Sequence, residues 1–455
     1  MEGGGLRVLI LNSDSPKNRG DRAILAGNIE LIRQVYPEAH IWSLSQYRER
    51  DQEWFGINFH PFSPYSVKPA DFFALLRHAK AADLILWGGG EILKDYTNKL
   101  SLFYWAIKLW AVSLANPNIV GAFQGIGPTS ANISKRVIAF TVSRCKAFLV
   151  RDTESKTKLE NWGVKIPVIA SYDPAVFDTA KPMNTEIWNR FVESQGVDAH
   201  FLHNFAGFGL RRWFHYSHSG WLPAKFRFWA RKDAGNTPEL DTYLTNLAAL
   251  ADSVVEKHDV NLIFFPMHVG GGEDDPEFGR QVVSRMKHGD RTCVIAGDDI
   301  SPDDYLALIG HAKFFVASRL HSAILATVAN VPAICLYYVD KGRLFFEQVG
   351  LQRFSRDIKV MQQPGIVAEL ASLVDQLVTE GEAVKAQQLS ALDTMRQQIR
   401  SDFVAGIAAA GLKPSDVEGH EHEVQAEHAA KRHRKAEAEA AERAAEYERA
   451  NKDGN

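Results

Sequence analysis

The sequence predicts an α/β protein of two doubly wound domains facing a cleft, with a charged helical or disordered C-terminal tail. Three observations carry this. Short, continuously apolar runs alternate with stretches of helical spacing, the pattern of a parallel sheet covered on both faces. The rhythm restarts after a polar, proline-containing stretch around Asp178–Thr185. The chain of 455 residues is long enough for two or three domains at about 150 residues each. The expected division is residues 1–180, residues 181–413 and a tail over 414–455.

In the first half, Leu6–Leu11 reads as a buried strand because five of its six residues are apolar and turn residues follow. Gly20–Val35 then has apolar residues at helical spacing. Ile41–Leu44, Leu84–Trp87, Ile119–Phe123 and Phe148–Val150 are further strands. Asp71–Ala81, Leu100–Ala115, Lys135–Cys145 and Thr153–Trp162 are the helices between them. In the second half the strands are Phe201–Phe205, Leu262–Phe265, Cys293–Ile295, Phe314–Ala317 and Ala333–Tyr337, again with helices between. Gly207–Lys232, crowded with Arg, Trp, Phe and His, reads as neither element. From Gly419 the chain is Ala, Glu, Arg, Lys and His, with too few apolar residues to bury a face.

Composition excludes several classes. Lys and Arg total 52 against 55 Asp and Glu, a net charge of −3, so nucleic-acid binding is not expected. The cysteines, Cys145, Cys293 and Cys335, form no CxxC pair, which disfavours a disulfide framework or a zinc ribbon. The opening residues lack the apolar region and cleavage site of a signal peptide. No run of 18 apolar residues exists; the nearest, Leu100–Ala115, is broken by Lys108, and 18 is the least that spans a bilayer. A cytoplasmic protein is expected.

The candidate chemistry lies in the turns after the strands, where a doubly wound domain offers its ligand crevice. The first turn, Asn12 to Asp21, is long and polar. Its amides and the following helix N-terminus suit an anion, and Asp14 and Asp21 suit hydroxyl groups; the alternative is a plain helix cap. Gly88-Gly89-Gly90 and Gln124-Gly125-Ile126-Gly127-Pro128 each follow a strand, and Gly20, Gly89, Gly90 and Gly127 let backbone approach a ligand closely. Neither turn is a GxGxxG fingerprint. Arg151-Asp152 and Asp173-Pro174-Ala175 are a second charged pair of turns, readable as a structural ion pair and a simple turn. Ser318-Arg319-Leu320-His321 follows a strand and opens a helix, and Lys341 follows the next strand. Arg319, His321 and Lys341 therefore point to one multiply charged small anion. No metal is expected: His200, His203, His215 and His218 lack HExxH spacing, and the tail histidines read as solvated. No GxSxG, Walker A or kinase signature is present.

Taken in order, Asn18-x-Gly20-Asp21-x-Ala23-Ile24, Gly88–Gly90, Gly125–Pro128, Val150-Arg151-Asp152-x-x-Ser155, Asp173-Pro174-Ala175, Ser318-Arg319-Leu320-His321 and Lys341 resemble the polysaccharide pyruvyl transferase family over roughly residues 8 to 350. The resemblance implies two Rossmann-like domains in a GT-B-like arrangement. It implies a metal-free transfer of the enolpyruvyl unit of phosphoenolpyruvate to a sugar, giving a pyruvate ketal and phosphate, with no cofactor beyond that donor. Arg151, Arg319, His321 and Lys341 are the implied donor contacts, together with Arg211 or Arg212. His321 is the expected acid or phosphate donor, and Asp21 or Asp14 the expected base toward the acceptor.

Two other readings are a sugar-nucleotide glycosyltransferase on the same architecture and a catalytically silent binding protein. Between residues 213 and 232, Trp213, Phe214, Trp221, Phe226, Phe228 and Trp229 interleave with Arg and Lys. Such a segment suits a sugar or a lipid-linked acceptor at a membrane surface, hence a peripheral membrane contact; the alternative is core aromatics beside a solvated face.

Overall fold

The computed structural model describes residues 5–12, 17–95, 99–213, 237–270 and 274–413. Asp14, the segment 214–232, His215 and His218 and the tail 414–455 lie outside them.

The first sheet has seven parallel strands: β1 (Arg7–Asn12), β2 (His40–Leu44), β3 (Asn58–His60), β4 (Leu84–Gly88), β5 (Ile119–Gln124), β6 (Ala147–Val150) and β7 (Val168–Ala170), in the order β3-β2-β1-β4-β5-β6-β7. Val8 and Ile10 of β1 face one core and Leu9 and Leu11 the other, which is why the strand reads as an unbroken apolar run. Helices cover both faces; they include α1 (Arg19–Val35), α2 (Arg48–Phe55), α3 (Pro69–Ala81), α4 (Lys99–Ala115), α5 (Asn132–Val142) and α6 (Thr153–Asn161).

The second sheet has six parallel strands: β8 (Phe205–Gly209), β9 (Asn261–Phe264), β10 (Thr292–Val294), β11 (Phe315–Ala317), β12 (Ala333–Tyr337) and β13 (Ser355–Asp357), in the order β10-β9-β8-β11-β12-β13. Strand order reverses between β1 and β4 in the first sheet and between β8 and β11 in the second. These switch points open the crevice of a doubly wound sheet. Among the helices here are α7 (Thr185–Gln195), α8 (Pro238–His258), α9 (Asp275–Val283), α10 (Pro302–Gly310), α11 (Leu320–Val328), α12 (Asp340–Gln348), α13 (Ile366–Thr379) and α14 (Gly381–Ala408).

Two sequence expectations are corrected. The strand placed at Phe201–Phe205 is a 3-10 turn over Ala199–His203, and β8 begins at Phe205. Gly207–Gly209, the start of the Arg-, Trp-, Phe- and His-rich segment expected to be neither element, is the end of that central strand. A Cβ at Gly207 would lie 2.4 Å from the Phe315 ring, so neighbouring β11 supplies the bulk the glycines lack. The short edge strands β3, β7 and β13 have too few residues to show a pattern.

All strands of the first sheet precede residue 180 and all of the second follow it. The last helix nevertheless returns to the first sheet: Gly406 of α14 lies against Leu149 and Val120, and Arg396 donates to the carbonyls of Val176 and Asp178 at 2.8 and 3.0 Å. One apolar core runs continuously through both sheets, and residues 1–412 form one compact unit.

Candidate active site

The β1–α1 turn meets the second sheet directly. Asn18 caps α1, its side chain accepting from the Gly20 and Asp21 amides at 3.0 and 3.4 Å. Arg19 N–H donates to the Met267 carbonyl at 2.8 Å, and Val269 N–H to the Lys17 carbonyl at 3.0 Å. The Arg19 guanidinium donates to the carbonyls of Gly297 and Ile300 at 3.2 Å each and lies 4.0 Å over the Tyr305 ring. These bonds hold Gly20 against α11. A Cβ on Gly20 would stand 2.3 Å from His321 Nδ1, so only glycine admits the imidazole there.

The two glycine turns hold each other. Gly125 N–H donates to the Gly90 carbonyl at 3.1 Å and Gly127 N–H to the Leu93 carbonyl at 3.0 Å. Gly89 and Gly90 have φ of 110° and 49°, a backbone path side chains disfavour, and a Cβ on Gly90 would come within 3.1 Å of Asp21 Oδ1. Gly127 leaves space for Glu91, whose Oε1 would lie 2.8 Å from a Cβ there. Before this turn β5 shifts register around Phe123, which has φ of 54°. Gln124 is thereby aimed across to β4, donating to the Trp87 carbonyl at 2.8 Å.

Charged side chains from both sheets converge beside these turns. Asp173 caps its own turn, accepting from Ala175 N–H at 3.1 Å. Its other oxygen takes Arg151 Nη1 at 2.9 Å and lies 3.4 Å from His321 Nε2. Glu91 Oε2 is 3.8 Å from Arg151 Nη2 and 3.6 Å from Lys341 Nζ, and Oε1 is 3.8 Å from Lys94 Nζ. Arg151 and Asp173 are buried, Glu91 and His321 nearly so, and Lys341 is half-buried.

Burial alone would raise the Glu91 carboxyl, but Lys341, Lys94 and Arg151 outweigh it and hold it at about 2. Burial also opposes ionisation of Asp173, which His321 and Arg151 nevertheless keep well below the ordinary range. For His321, burial favours the neutral ring, and Arg151 and Lys341 add to this against Asp173. The cleft beside Arg151, Asp173 and Lys341 has about 20 Å³ of free space, room for about one water.

Of the residues singled out in the sequence, Arg151, His321, Lys341, Gly20, Gly127, Asp21 and Gly90 thus gather in one region. Arg319 and Arg211 point elsewhere. Arg319 N-caps α11 and directs Nη2 to Asp275 Oδ1 at 2.6 Å. Asp275 Oδ2 in turn accepts from the Met267 and His268 amides at 3.0 and 2.9 Å. The buried Arg211 guanidinium bonds to the Tyr338 hydroxyl and lies 4.2 Å over its ring, while its carbonyl accepts from Tyr243 Oη at 3.0 Å. Arg212 is half-buried beside it.

Sequence reasoning did not single out Glu91, Lys94 or Asp275. The signal for Glu91 was its position directly after Gly88-Gly89-Gly90; Asp275 has none, since it is distant from Arg319 in the chain. Among the described residues no three His, Cys, Asp or Glu side chains converge as metal ligands.

A glycosyltransferase structure from Rickettsia africae is similar to this chain with a TM-score of 0.52 at 11% identity, covering 90% of this chain and 99% of that one. This likeness supports the fold. Two further similar structures are ADP-heptose LPS heptosyltransferase II of E. coli (TM-score 0.46, 13% identity, 83% and 100% covered) and UDP-GlcNAc 2-epimerase of Methanocaldococcus jannaschii (0.47, 11%, 79% and 94%). No curated protein sequence matches. The model for polysaccharide pyruvyl transferase matches residues 18–340, from the Asn18 cap of α1 to the residue before Lys341. With its strand-end turns thus accounted for in order, the chain belongs to the polysaccharide pyruvyl transferase family.

Proposed function

We propose that this protein transfers the enolpyruvyl group of phosphoenolpyruvate to a sugar of a polysaccharide or glycan precursor, closing a pyruvate ketal and releasing phosphate. The observation that carries the reading is the convergence of Arg151, His321 and Lys341, drawn from both sheets, on one cleft. Carboxylate and phosphate both suit such a cluster.

The hard step is to make carbon 2 of an enol phosphate electrophilic. An acid protonates carbon 3, and the positive charge that develops on carbon 2 is taken by an oxygen of the acceptor sugar, whose proton passes to a base. The bond from carbon 2 to the phosphate oxygen then breaks with its electron pair leaving on phosphate. A second sugar hydroxyl attacks the resulting oxocarbenium carbon, its proton passing to the released phosphate, to close the ketal. His321 is our choice for the acid or phosphate donor. Burial, Arg151 and Lys341 favour its neutral ring, and an anion bound beside it raises its proton affinity where the proton is needed. Glu91 and Asp173, held ionised by their cations, are weak bases and serve to orient those cations. Asp21, beside Gly90 at the start of α1, is our choice for the base. Arg319 and Arg211, held by Asp275 and Tyr338, are assigned supporting roles, Arg319 by anchoring the start of α11 that carries His321. A phosphoenolpyruvate donor places the reaction in the cytoplasm.

The test is phosphate release from phosphoenolpyruvate by the full chain across a panel of glycosides and lipid-linked sugars, with UDP- and ADP-sugars in parallel. Acceptor-dependent phosphate release with a ketal in the product is the expected result. Turnover of a sugar nucleotide and none of phosphoenolpyruvate would overturn the reading in favour of glycosyl transfer.

A further inference from the structure

Helices α4 and α5 pack side by side on the first sheet. α4 buries Leu102, Trp105, Leu109 and Val112, the ordinary inward stripe of an amphipathic helix. Its outer side is not polar. Leu100, Ile107, Trp110 and Leu114 are all exposed, Ile107 at 61% and Leu114 at 69%, a stripe about 21 Å long at 1.5 Å per residue. α5 continues the surface with exposed Ile133 and Phe140, and an open groove of about 300 Å³ runs between the helices, with Arg136 in its wall. A contiguous apolar surface of this kind marks an interaction site.

Its charge says what it fits. The chain as a whole is net −3, yet no Asp or Glu occurs between Asp95 and Asp152. Asp95 is itself buried, accepting from the Ser130 and Ala131 amides before α5. On the neighbouring α3 the acid Asp71 is engaged by Ser66 Oγ. Lys108 turns inward, its ammonium bonded to the Pro64 carbonyl. Exposed Arg136 and half-exposed Lys99, Lys135 and Arg144 remain around the apolar residues. Apart from the half-buried Asp71, the charged side chains of α3, α4 and α5 are cationic, and an aromatic and aliphatic surface rimmed in this way is complementary to an anionic bilayer. A second copy of the same face would instead set cation against cation. No helix of the described residues is long and apolar enough to cross a membrane.

We propose that the α4–α5 face docks this protein on the surface of an anionic lipid bilayer, with Ile107, Trp110, Leu114 and Phe140 entering the headgroup–acyl boundary and the flanking Arg and Lys meeting lipid phosphates. α4 and α5 begin just beyond the glycine turns that carry Glu91 and Gly127, so docking sets the candidate active site beside the membrane. The proposal does not depend on the pyruvyl-transfer reading or on a lipid-linked acceptor.

The test is sedimentation of the full chain with vesicles of phosphatidylcholine alone or mixed with phosphatidylglycerol. The wild type, Ile107→Glu/Trp110→Glu and Arg136→Glu/Arg144→Glu are compared, with circular dichroism and thermal melting as folding controls. The expected result is binding to the anionic vesicles only, weakened by salt, and weakened about tenfold or more in both variants. Binding by the variants equal to wild type, or no binding by the wild type, overturns the proposal. So does a wild-type dimer that Ile107→Glu/Trp110→Glu dissolves without any loss of vesicle binding.

Discussion

Replacing Asp173 by Asn tests whether the Arg151–Asp173–His321 cluster is the buried electrostatic pivot described above. Asp173 holds Arg151 at 2.9 Å and His321 at 3.4 Å, with both members of the first pair 5% exposed. Removing one partner of a buried pair costs about 3–5 kcal/mol, because the other charge is left uncompensated. Glu91 remains 3.8 Å from Arg151, so the expected loss at pH 7 is at the low end, about 3 kcal/mol. The pH dependence gives a second, sharper signature. His321 is depressed by burial and by Arg151 and Lys341, and Asp173 is the group that raises it. A depressed histidine binds fewer protons folded than unfolded, so its contribution is present above about 6.5 and is lost as pH falls below that value. In Asp173→Asn the depression deepens, so the stability gap to wild type widens as pH falls through the wild-type folded value of His321, below about 6.5. The Asp173 carboxyl, itself depressed, contributes above about 3.9 and is lost only as pH falls below that range, so the gap narrows again in strong acid. Urea unfolding followed by tryptophan fluorescence and circular dichroism at several pH values measures both effects. A loss under about 1 kcal/mol, well short of that range, or a gap that narrows from pH 7 to pH 5, would refute the reasoning.

Gly20→Ala places a Cβ 2.3 Å from His321 Nδ1; a stability loss of about 1–3 kcal/mol and a larger fall in turnover are expected from thermal melts and steady-state assays. Lys341→Ala removes a cation from Glu91 in the cleft and should weaken phosphoenolpyruvate binding roughly ten- to hundred-fold, as loss of a charge-assisted contact does, with the fold intact by calorimetry. Arg319→Ala leaves buried Asp275 without its guanidinium, so a destabilisation of about 3 kcal/mol should accompany any loss of affinity. Transferase activity is expected to persist in excess chelator; loss restored by magnesium or manganese would count against the cationic-cluster mechanism.

The sequence by itself determined the two-sheet plan and most central strands, because a parallel strand buried on both faces must be apolar throughout, as Leu9 to Leu11 and Leu84 to Trp87 are. It also located the strand-end turns in which Gly20, Gly90, Arg151, His321 and Lys341 sit, since glycine and charge directly after an apolar run have few other uses. Tertiary structure alone decided how these residues pair. Arg319 and His321 are near neighbours in sequence, yet Arg319 is the extended N-cap and His321 lies in the first helical turn, so they diverge: Arg319 goes to Asp275 of its own sheet's layer, His321 across the cleft to Asp173. Glu91 became the hub of Arg151, Lys94 and Lys341 only when the turns after β4 and β5 closed on each other. Such pairings join residues far apart in the chain, and no local pattern encodes which carboxylate a buried cation will meet.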